Sequence, residues 1–279
     1  MEIKQWYCRI APSLGGGFAG TPESAWGTST YNQDFHINKN VCFFGLYGLS
    51  DFYTLWRHKG QKAILWAGSD IIHLKNNYWL NEIGDIRIDN KGICQWINKY
   101  CENWCENEVE EKALASIGIT SKVCPSFLGN VDDYPLSYQY NEKPKFYTSV
   151  SGNDFELYKW DEVIKLSDRH PEVEFHFYGN TEKYHYLTDN NYPNTFFHGR
   201  VSQEQMDNET KGMTGAIRLL EHDGCSEIIV KGALRGHYSI STIEYPHTSK
   251  EIQNEKEPNI KGREWVLNNV NKYPWNTKI

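Results

Sequence analysis

The sequence has no excess of cationic side chains and no long apolar run. Its 279 residues contain 29 lysines and arginines against 36 aspartates and glutamates, a net charge of −7. Such a chain lacks the general positive field with which many proteins attract nucleic acid. The apolar runs are too short to span a membrane, and the first residues, MEIKQWYCRI, lack the basic and then apolar layout of a signal peptide. We therefore expect a cytoplasmic protein.

The cysteines do not follow a metal-binding or disulfide pattern. There are seven of them, an odd number, and none forms a Cys-x-x-Cys pair. This argues against a disulfide framework and against a zinc ribbon. Cys101 and Cys105 lie close to Cys94, but the neighbouring Tyr100 and Trp104 are typical of a half-buried strand or helix edge. We interpret these cysteines as buried thiols and predict no metal site.

The segment from residue 194 to residue 236 alternates strand and helix patterns. FFHGRV is a short apolar strand containing Gly199 and Arg200, SQEQMDNETKG is a polar helix, and AIRLL is a buried strand that stops at His222-Asp223-Gly224. A helix over Glu227–Arg235 follows. In open α/β sheets ligands bind at the carboxyl ends of strands, and the amides at the start of this helix would face an anion there.

The preceding residues extend the same pattern. KPKFYTSVS, Lys143 to Ser151, predicts a strand, Tyr158 to Asp168 has apolar residues at helical spacing, and PEVEFHFYGN predicts a strand closing on Gly179. Strands alternating with helices in this order indicate a parallel sheet with right-handed crossovers.

The N-terminal half carries a second set of strands and helices. NVCFFGLYGLSDFYTLWRHKGQKAILWAGSDI predicts a strand over Val41–Leu46, a helix over Ser50–His58 and a strand over Ala63–Trp66, followed by Gly68-Ser69-Asp70. ENEVEEKALASIGITSKV then predicts a helix with a glycine stop and another strand. We expect domains at 1–140 and 141–252 and a terminal helix within 253–279, which the resemblance described below implies crosses back to the first domain.

The residues around Asp223 resemble the C-terminal half of the two-Rossmann-domain (GT-B) glycosyltransferases, specifically the retaining family-four type. The signature of that family is Glu-x7-Glu, in which an acid and a glycine follow a strand and the second acid opens Glu-Ala-x-Ala-x-Gly. Here Asp223-Gly224 takes the first position and Lys231-Gly-Ala-Leu-Arg-Gly236 the second, at the family's spacing of eight. The first glutamate of the motif is replaced by the shorter Asp223. The second glutamate, which in the family accepts hydrogen bonds from the nucleotide ribose, is replaced by Lys231.

The resemblance implies a fold of two Rossmann-like domains with a donor crevice between them. In the family, an arginine after a glycine and a nearby lysine hold the donor diphosphate. Lys159 matches the lysine, but Gly152 is followed by Asn153, so Arg200 or Arg218 would supply the second charge. The glycine-rich segment SLGGGFAG, residues 13–20, resembles the loop that approaches the donor phosphates in the family, although no clear strand precedes it. The segment from Lys62 to Ile71 resembles part of the acceptor domain.

These matches define the candidate residues. We predict Asp223, His222 and Asp70 as catalytic, and Gly16, Lys159, Arg200, Arg218, Gly224, Cys225, Ser226, Glu227 and Lys231 as donor-binding. Asp223 would bind sugar hydroxyls, and Glu227 is a substitute acceptor for the ribose diol. The three predicted catalytic residues each have a structural interpretation as the alternative. Asp223 could be a helix cap, Asp70 a brace of its loop, and His222 a surface histidine.

By resemblance, the protein transfers a sugar from a nucleotide-sugar donor such as UDP-glucose to an acceptor hydroxyl, with retention and without a metal or other cofactor. No Asp-x-Asp metal motif occurs. The resemblance does not identify the acceptor, which could be a glycan, a lipid, a protein or a modified DNA base. The modified base is included because some compact transferases of this kind in phages glycosylate hydroxymethylated bases. A non-catalytic sugar-nucleotide or glycan-binding protein is the alternative from another class.

Overall fold

The computed structural model describes residues 5–14, 18–77, 79, 90–150, 155–180 and 192–278. The chain forms two compact units. The first comprises Met1–Asn130, His222–Cys225 and Asn269–Ile279, and the second comprises Val131–Glu221 and Ser226–Asn268. Each unit contains its own six-stranded parallel sheet with helices, so the predicted α/β class with two Rossmann-like domains is confirmed.

In the first unit the strands are β1 (Trp6–Ile10), β2 (Ser29–Thr30), β3 (Asn40–Phe44), β4 (Lys62–Leu65), β5 (Glu102–Cys105) and β6 (Lys122–Val123), in the spatial order β2-β1-β3-β4-β5-β6. Its helices are α1 (Pro22–Trp26), α2 (Gln33–His36), α3 (Leu49–Arg57), α4 (Ser69–Lys75), α5 (Lys91–Tyr100) and α6 (Glu108–Ser116), with a 3-10 turn at Pro12–Leu14. The chain order reverses between β1 and β3.

Both faces of the first sheet are covered. Along β3, Val41 and Phe43 pack into one hydrophobic cluster and Cys42 and Phe44 into another. A parallel strand that is buried on both faces carries an unbroken apolar run, which is why this strand could be recognised in the sequence. The predicted strand Val41–Leu46 is observed two residues shorter at its carboxyl end.

Strand β1 differs from what the sequence indicated, because a strand does precede the glycine-rich segment. Its alternate residues Trp6 and Cys8 are buried, whereas Tyr7 and Arg9 are half-buried. Five residues with a cation and a tyrosine inside them carry too weak an apolar signal to be recognised alone. Gly16, the predicted phosphate-loop residue, lies outside the described residues.

In the second unit the strands are β7 (Lys145–Ser149), β8 (Glu174–Tyr178), β9 (Thr195–Gly199), β10 (Gly215–Arg218), β11 (Ser239–Ser241) and β12 (Thr248–Ser249), in the order β12-β11-β10-β7-β8-β9. Its helices are α7 (Trp160–Arg169), α8 (Gln203–Thr210), α9 (Glu227–Arg235) and α10 (Ile260–Asn269), with a 3-10 turn at Val131–Asp133. The chain order reverses between β7 and β10. No helix in the described ranges is long and apolar enough to cross a membrane.

The last residues complete the core of the first unit. Asn271 accepts a hydrogen bond from the indole of Trp26 at 2.9 Å and another from the amide of Phe127 at 2.8 Å. Trp275 is fully buried and stacks on Tyr273, with ring centroids 4.5 Å apart. The hydrogen bonds of Trp26 with Asn271 and with Thr277 join residues that are about 250 positions apart in the sequence.

Acid is expected to destabilise the second unit, because several histidines are buried there as neutral rings. Burial lowers the pKa of His237 to about 3 and the pKa values of His176 and His247 to about 4. Since an unfolded histidine titrates near pH 6.5, below that value the unfolded chain binds protons that the folded chain does not. The free energy of unfolding should therefore fall by about 1.4 kcal/mol per pH unit for each such histidine as the pH drops from about 6.5 to about 4.

His247→Phe provides the measurement for this prediction. His247 is buried between the rings of Tyr245 and Trp265, so phenylalanine keeps the aromatic packing and removes the titrating group. Denaturant unfolding at several pH values should show a shallower loss of stability in the variant. An unchanged pH slope would contradict the prediction.

Candidate functional site

The turn His222–Gly224 belongs to the first unit and is held there by residues that directly follow β5. The side chain of Asn107 donates a hydrogen bond to the backbone carbonyl of Asp223 at 2.8 Å, and the amide of Cys225 donates to Glu106 Oε2 at 2.5 Å. A Cβ atom added to Gly224 would lie 1.8 Å from the same Glu106 oxygen. Glycine is therefore needed at this position for the turn to sit against the buried carboxylate.

A group of acids surrounds this turn. Glu110 lies in the first turn of α6, where its Oε2 accepts a hydrogen bond from the amide of Glu106 at 2.6 Å. Burial, followed by the nearby charge of Glu106, raises the pKa of the Glu110 carboxyl well above its usual range, and Asp70 and Asp223 act in the same direction. Burial and the surrounding carboxylates therefore favour the protonated form of Glu110.

A small cleft lies beside these acids, lined on its polar side by Glu110, His222 and Asp223 and on its apolar side by Ile71, Ile72, Val109 and Ala113. His222 is exposed and Asp223 is half-buried. Two of the three residues predicted as catalytic thus lie together at one cleft. The helix cap of α9 is Ser226, so Asp223 does not occupy the capping position considered in the sequence analysis.

The third of these residues, Asp70, lies in a different environment. Its side chain is fully buried and accepts hydrogen bonds from the amides of Leu46 at 2.9 Å, Ala67 at 3.0 Å and Ile71 at 2.9 Å. Burial raises its pKa to about 7 despite these bonds. Asp70 thus joins the loops that follow β3 and β4, the bracing position that the sequence left as an alternative.

In the second unit, two predicted donor-binding cations flank the point where the strand order reverses. Lys159 precedes α7, the helix that follows β7, and its ammonium lies 3.5 Å from the carboxylate of the exposed Glu221. Arg218 ends β10, the neighbour of β7, and its guanidinium lies 4.4 Å from the ring centroid of Tyr158. Both cations are partly exposed at the carboxyl edge of the sheet.

Helix α9 begins at the same edge, because it follows β10. Within the described part of the chain, the side chain of Ser226 makes no capping hydrogen bond at its start. Amides at an uncapped helix start are a favourable place for an anion. Arg200, by contrast, is exposed and directly follows β9, the edge strand of the sheet. Because β8 lies between β9 and β7, Arg200 is not next to the point where the strand order reverses.

Lys231 faces the interior of the second unit. Its side chain is 5% exposed, and its ammonium lies 3.6 Å from Asp207 and 3.9 Å from Glu227, above the ring of Tyr134. Arg235 pairs with the same Asp207 at 3.1 Å. The lysine that replaces the second acid of the family motif is therefore part of a buried ion cluster.

Four residues at these sites were not predicted from the sequence: Glu106, Glu110, Tyr158 and Glu221. Glu106 had a usable signal, since it follows a buried strand directly and so falls at the carboxyl edge of the sheet. Cys94 and Cys105 are buried and Cys101 is half-buried, as interpreted from their neighbours. Among the described residues, no three histidine, cysteine, aspartate or glutamate side chains are grouped so that they could hold a metal ion.

Comparisons with known proteins give structural matches only. No protein-family model matches the sequence, and neither does any curated protein. The structure of TarM matches with a TM-score of 0.53 at 14% identity, over 85% of this chain and 49% of TarM. A variant of S. aureus TarM in complex with Fondaparinux, α-GlcNAc-glycerol and UDP matches with a TM-score of 0.53 at 16% identity, over 77% and 44%.

Sucrose-phosphate synthase from Thermosynechococcus elongatus matches with a TM-score of 0.51 at 9% identity, over 72% of this chain and 55% of that enzyme. The chain thus spans about half the length of each of these three proteins. At such low identities, the similarity concerns the path of the backbone. This chain shares its fold with the GT-B glycosyltransferases.

Proposed function

We propose that this protein is a glycosyltransferase that moves a sugar from a nucleotide-sugar donor to an acceptor hydroxyl. The observation that carries the proposal is the position of Lys159 and Arg218 on either side of the strand-order reversal in the second sheet. Ligands of open α/β sheets bind at this point, outside the carboxyl ends of the strands. Two cations and an uncapped helix start at one edge are suited to a diphosphate.

The proposed reaction breaks the bond between the anomeric carbon of the sugar and the phosphate oxygen of the donor. A bond to the acceptor oxygen forms on the same face of the sugar, and the hydroxyl proton leaves with the nucleoside diphosphate. The negative charge that develops on the leaving group is stabilised by Lys159, Arg218 and the amides at the start of α9. In the first unit, the Asp223 carboxylate accepts hydrogen bonds from sugar hydroxyls.

Removing either cation should weaken nucleotide binding. UDP is a suitable probe, because a TarM variant of the same fold holds it. Lys159→Ala and Arg218→Ala are each expected to weaken UDP binding about tenfold in calorimetric titration, since each removes a charge-assisted contact to phosphate. Lys165→Ala is the matched control, because this lysine is 64% exposed on α7. Wild-type affinity in both variants would contradict the proposed nucleotide site.

EDTA is expected to leave the transfer rate unchanged. The proposed mechanism assigns the stabilisation of the diphosphate to side chains and amides of the protein, so no divalent ion is required. Rates are compared in EDTA and after addition of magnesium or manganese. A strict metal requirement, restored when the ion is added back, would refute this part of the mechanism.

A second candidate is a sugar-nucleotide-binding protein without transfer activity. It is favoured by Lys231, which stands at the position of the second family acid and is paired with Asp207 and Glu227. Incubation with a panel of nucleotide sugars, followed by mass spectrometry, separates the two. Donor turnover supports the transferase, and tight binding without turnover supports the binding protein.

A further inference from the structure

Helices α3 and α5 end side by side at one edge of the first sheet. Both pack on the same hydrophobic cluster, and the ring of Phe52 on α3 contacts the ring of Trp96 on α5 with centroids 5.5 Å apart. Each helix leads directly into a strand, α3 into β4 and α5 into β5. Their last residues therefore lie where the parallel strands begin. We call this the amino edge and define it as residues 34–40, 56–62 and 99–102, which lead into β3, β4 and β5.

The amino edge exposes three aromatic side chains. Trp56 and Tyr100 each lie one helical turn beyond the ring contact between the two helices, and they are 55% and 50% exposed. Phe35, on the short helix α2, is 77% exposed. The segment after α2 joins the same edge, because the carbonyl of Ile37 accepts a hydrogen bond from the amide of Lys59 at 2.8 Å. Large apolar groups exposed together in this way mark an interaction surface.

The same edge is cationic, although the chain as a whole carries a net charge of −7. Its cations are Lys39, Arg57, Lys59, Lys62 and Lys99, and its acids are Asp34 and Glu102. The ammonium of Lys99 lies 5.0 Å from the ring centroid of Tyr100, so a charge and a ring are presented together. Glu106 and Glu110, by contrast, follow β5 at the opposite edge of the sheet. Opposite charges at the two edges would turn the amino edge toward a negatively charged surface.

A lipid bilayer with anionic head groups matches this combination. Tryptophan and tyrosine are favoured between head groups and acyl chains, because their rings are apolar and their tips are polar. Lysine and arginine are attracted to anionic head groups. A single nucleic-acid strand also attracts rings and cations, but it is bound in a groove that follows its backbone. Here the rings stand on two helix ends and one short helix, an arrangement suited to a wide, planar partner.

We propose that the amino edge of the first unit docks on the surface of an anionic membrane, with Phe35, Trp56 and Tyr100 entering the head-group layer and the cations pairing with lipid phosphates. The inference goes beyond the proposed function, since Lys159 and Arg218 of the donor site take no part in it. It predicts binding that requires both the anionic lipid and the exposed rings, and that weakens as the salt concentration rises.

The test is sedimentation of the full chain with large vesicles, made either of phosphatidylcholine alone or of equal parts of phosphatidylcholine and phosphatidylglycerol. The wild type should bind the anionic vesicles and not the neutral ones. Arg57→Gln/Lys59→Gln should weaken this binding about 25-fold, because each cation near an anionic surface contributes about fivefold. Trp56→Ala/Tyr100→Ala should weaken it about tenfold, because two rings no longer enter the head-group layer.

Matched variants in the second unit separate a local surface from a general effect of charge. Lys165→Gln/Lys250→Gln removes the same charge from side chains that are 64% and 70% exposed, and Tyr140→Ala removes another exposed ring. Both should bind the anionic vesicles as the wild type does. Thermal unfolding of every variant verifies that it is folded, as expected for substitutions of exposed side chains.

Three results would overturn the proposal. The first is a lack of vesicle binding by the wild type, or equal binding to both kinds of vesicle. The second is an equal effect of the amino-edge variants and their controls in the second unit. The third comes from a parallel titration with a fluorescent single-stranded oligonucleotide: binding to the oligonucleotide without binding to vesicles would assign the surface to nucleic acid.

Discussion

Asp223→Ala is expected to lower the rate of sugar transfer by about 30-fold to about 1,000-fold, which corresponds to about 2–4 kcal/mol of lost transition-state stabilisation. The substitution removes the carboxylate at the cleft and preserves the turn. Asn107 holds residue 223 through the backbone carbonyl, which alanine retains. The effect should therefore appear in transfer rate and not in stability.

The assay compares transfer by the wild type, by Asp223→Ala and by Asp168→Ala, in which an exposed aspartate near the end of α7 is replaced. Thermal unfolding of all three proteins verifies that the turn variant is folded. Transfer by Asp223→Ala within a few-fold of wild type would show that this carboxylate does not contact the substrate.

Asp207→Ala is expected to lower the free energy of unfolding by about 3–5 kcal/mol, because it leaves buried cations without their shared counter-ion. Lys231 and Arg235 have side chains only 5% and 6% exposed, and both pair with Asp207. Burial already lowers the pKa of Lys231. Without Asp207, Lys231 keeps the ion pair with Glu227 at 3.9 Å, whereas Arg235 loses its ion pair.

Urea denaturation measures the loss, and the double variant Asp207→Ala/Lys231→Met tests its origin. Removing the lysine as well should recover part of the stability, since methionine fills a similar volume without a charge. Asp161→Ala, at an exposed position in the first turn of α7, is the control and should change the stability by less than about 0.5 kcal/mol. Additive losses in the double variant would show that the two residues do not interact.

Local patterns predicted the elements of this fold well. Helix α9 spans Glu227–Arg235 as its apolar spacing indicates, and the glycine after it adopts the left-handed conformation of a helix end. Such elements are predictable because their signals lie within about ten neighbouring residues. Strand β1 was missed because it has little apolar periodicity of its own and is defined by pairing with β3.

The candidate site was predicted only in part, because its partners are distant in sequence. Asp223 and His222 were found from their position after a strand, but their neighbour Glu110 is more than a hundred residues away. The role of Lys231 depends on Asp207, which lies on a different helix. A motif comparison shows that Lys231 replaces the second acid of the family. It cannot show that the carboxylate of Asp207 faces this lysine in three dimensions.

The burial of Trp26 has a consequence for the order in which the protein matures on the ribosome. The first unit closes over this indole with Asn271, Tyr273 and Trp275, which are translated after the whole of the second unit. A nascent chain that has emerged only as far as residue 130 lacks these three residues, so the surface of Trp26 that they contact is left uncovered. We expect this intermediate to be the species that chaperones protect, and the second unit to reach its native form first.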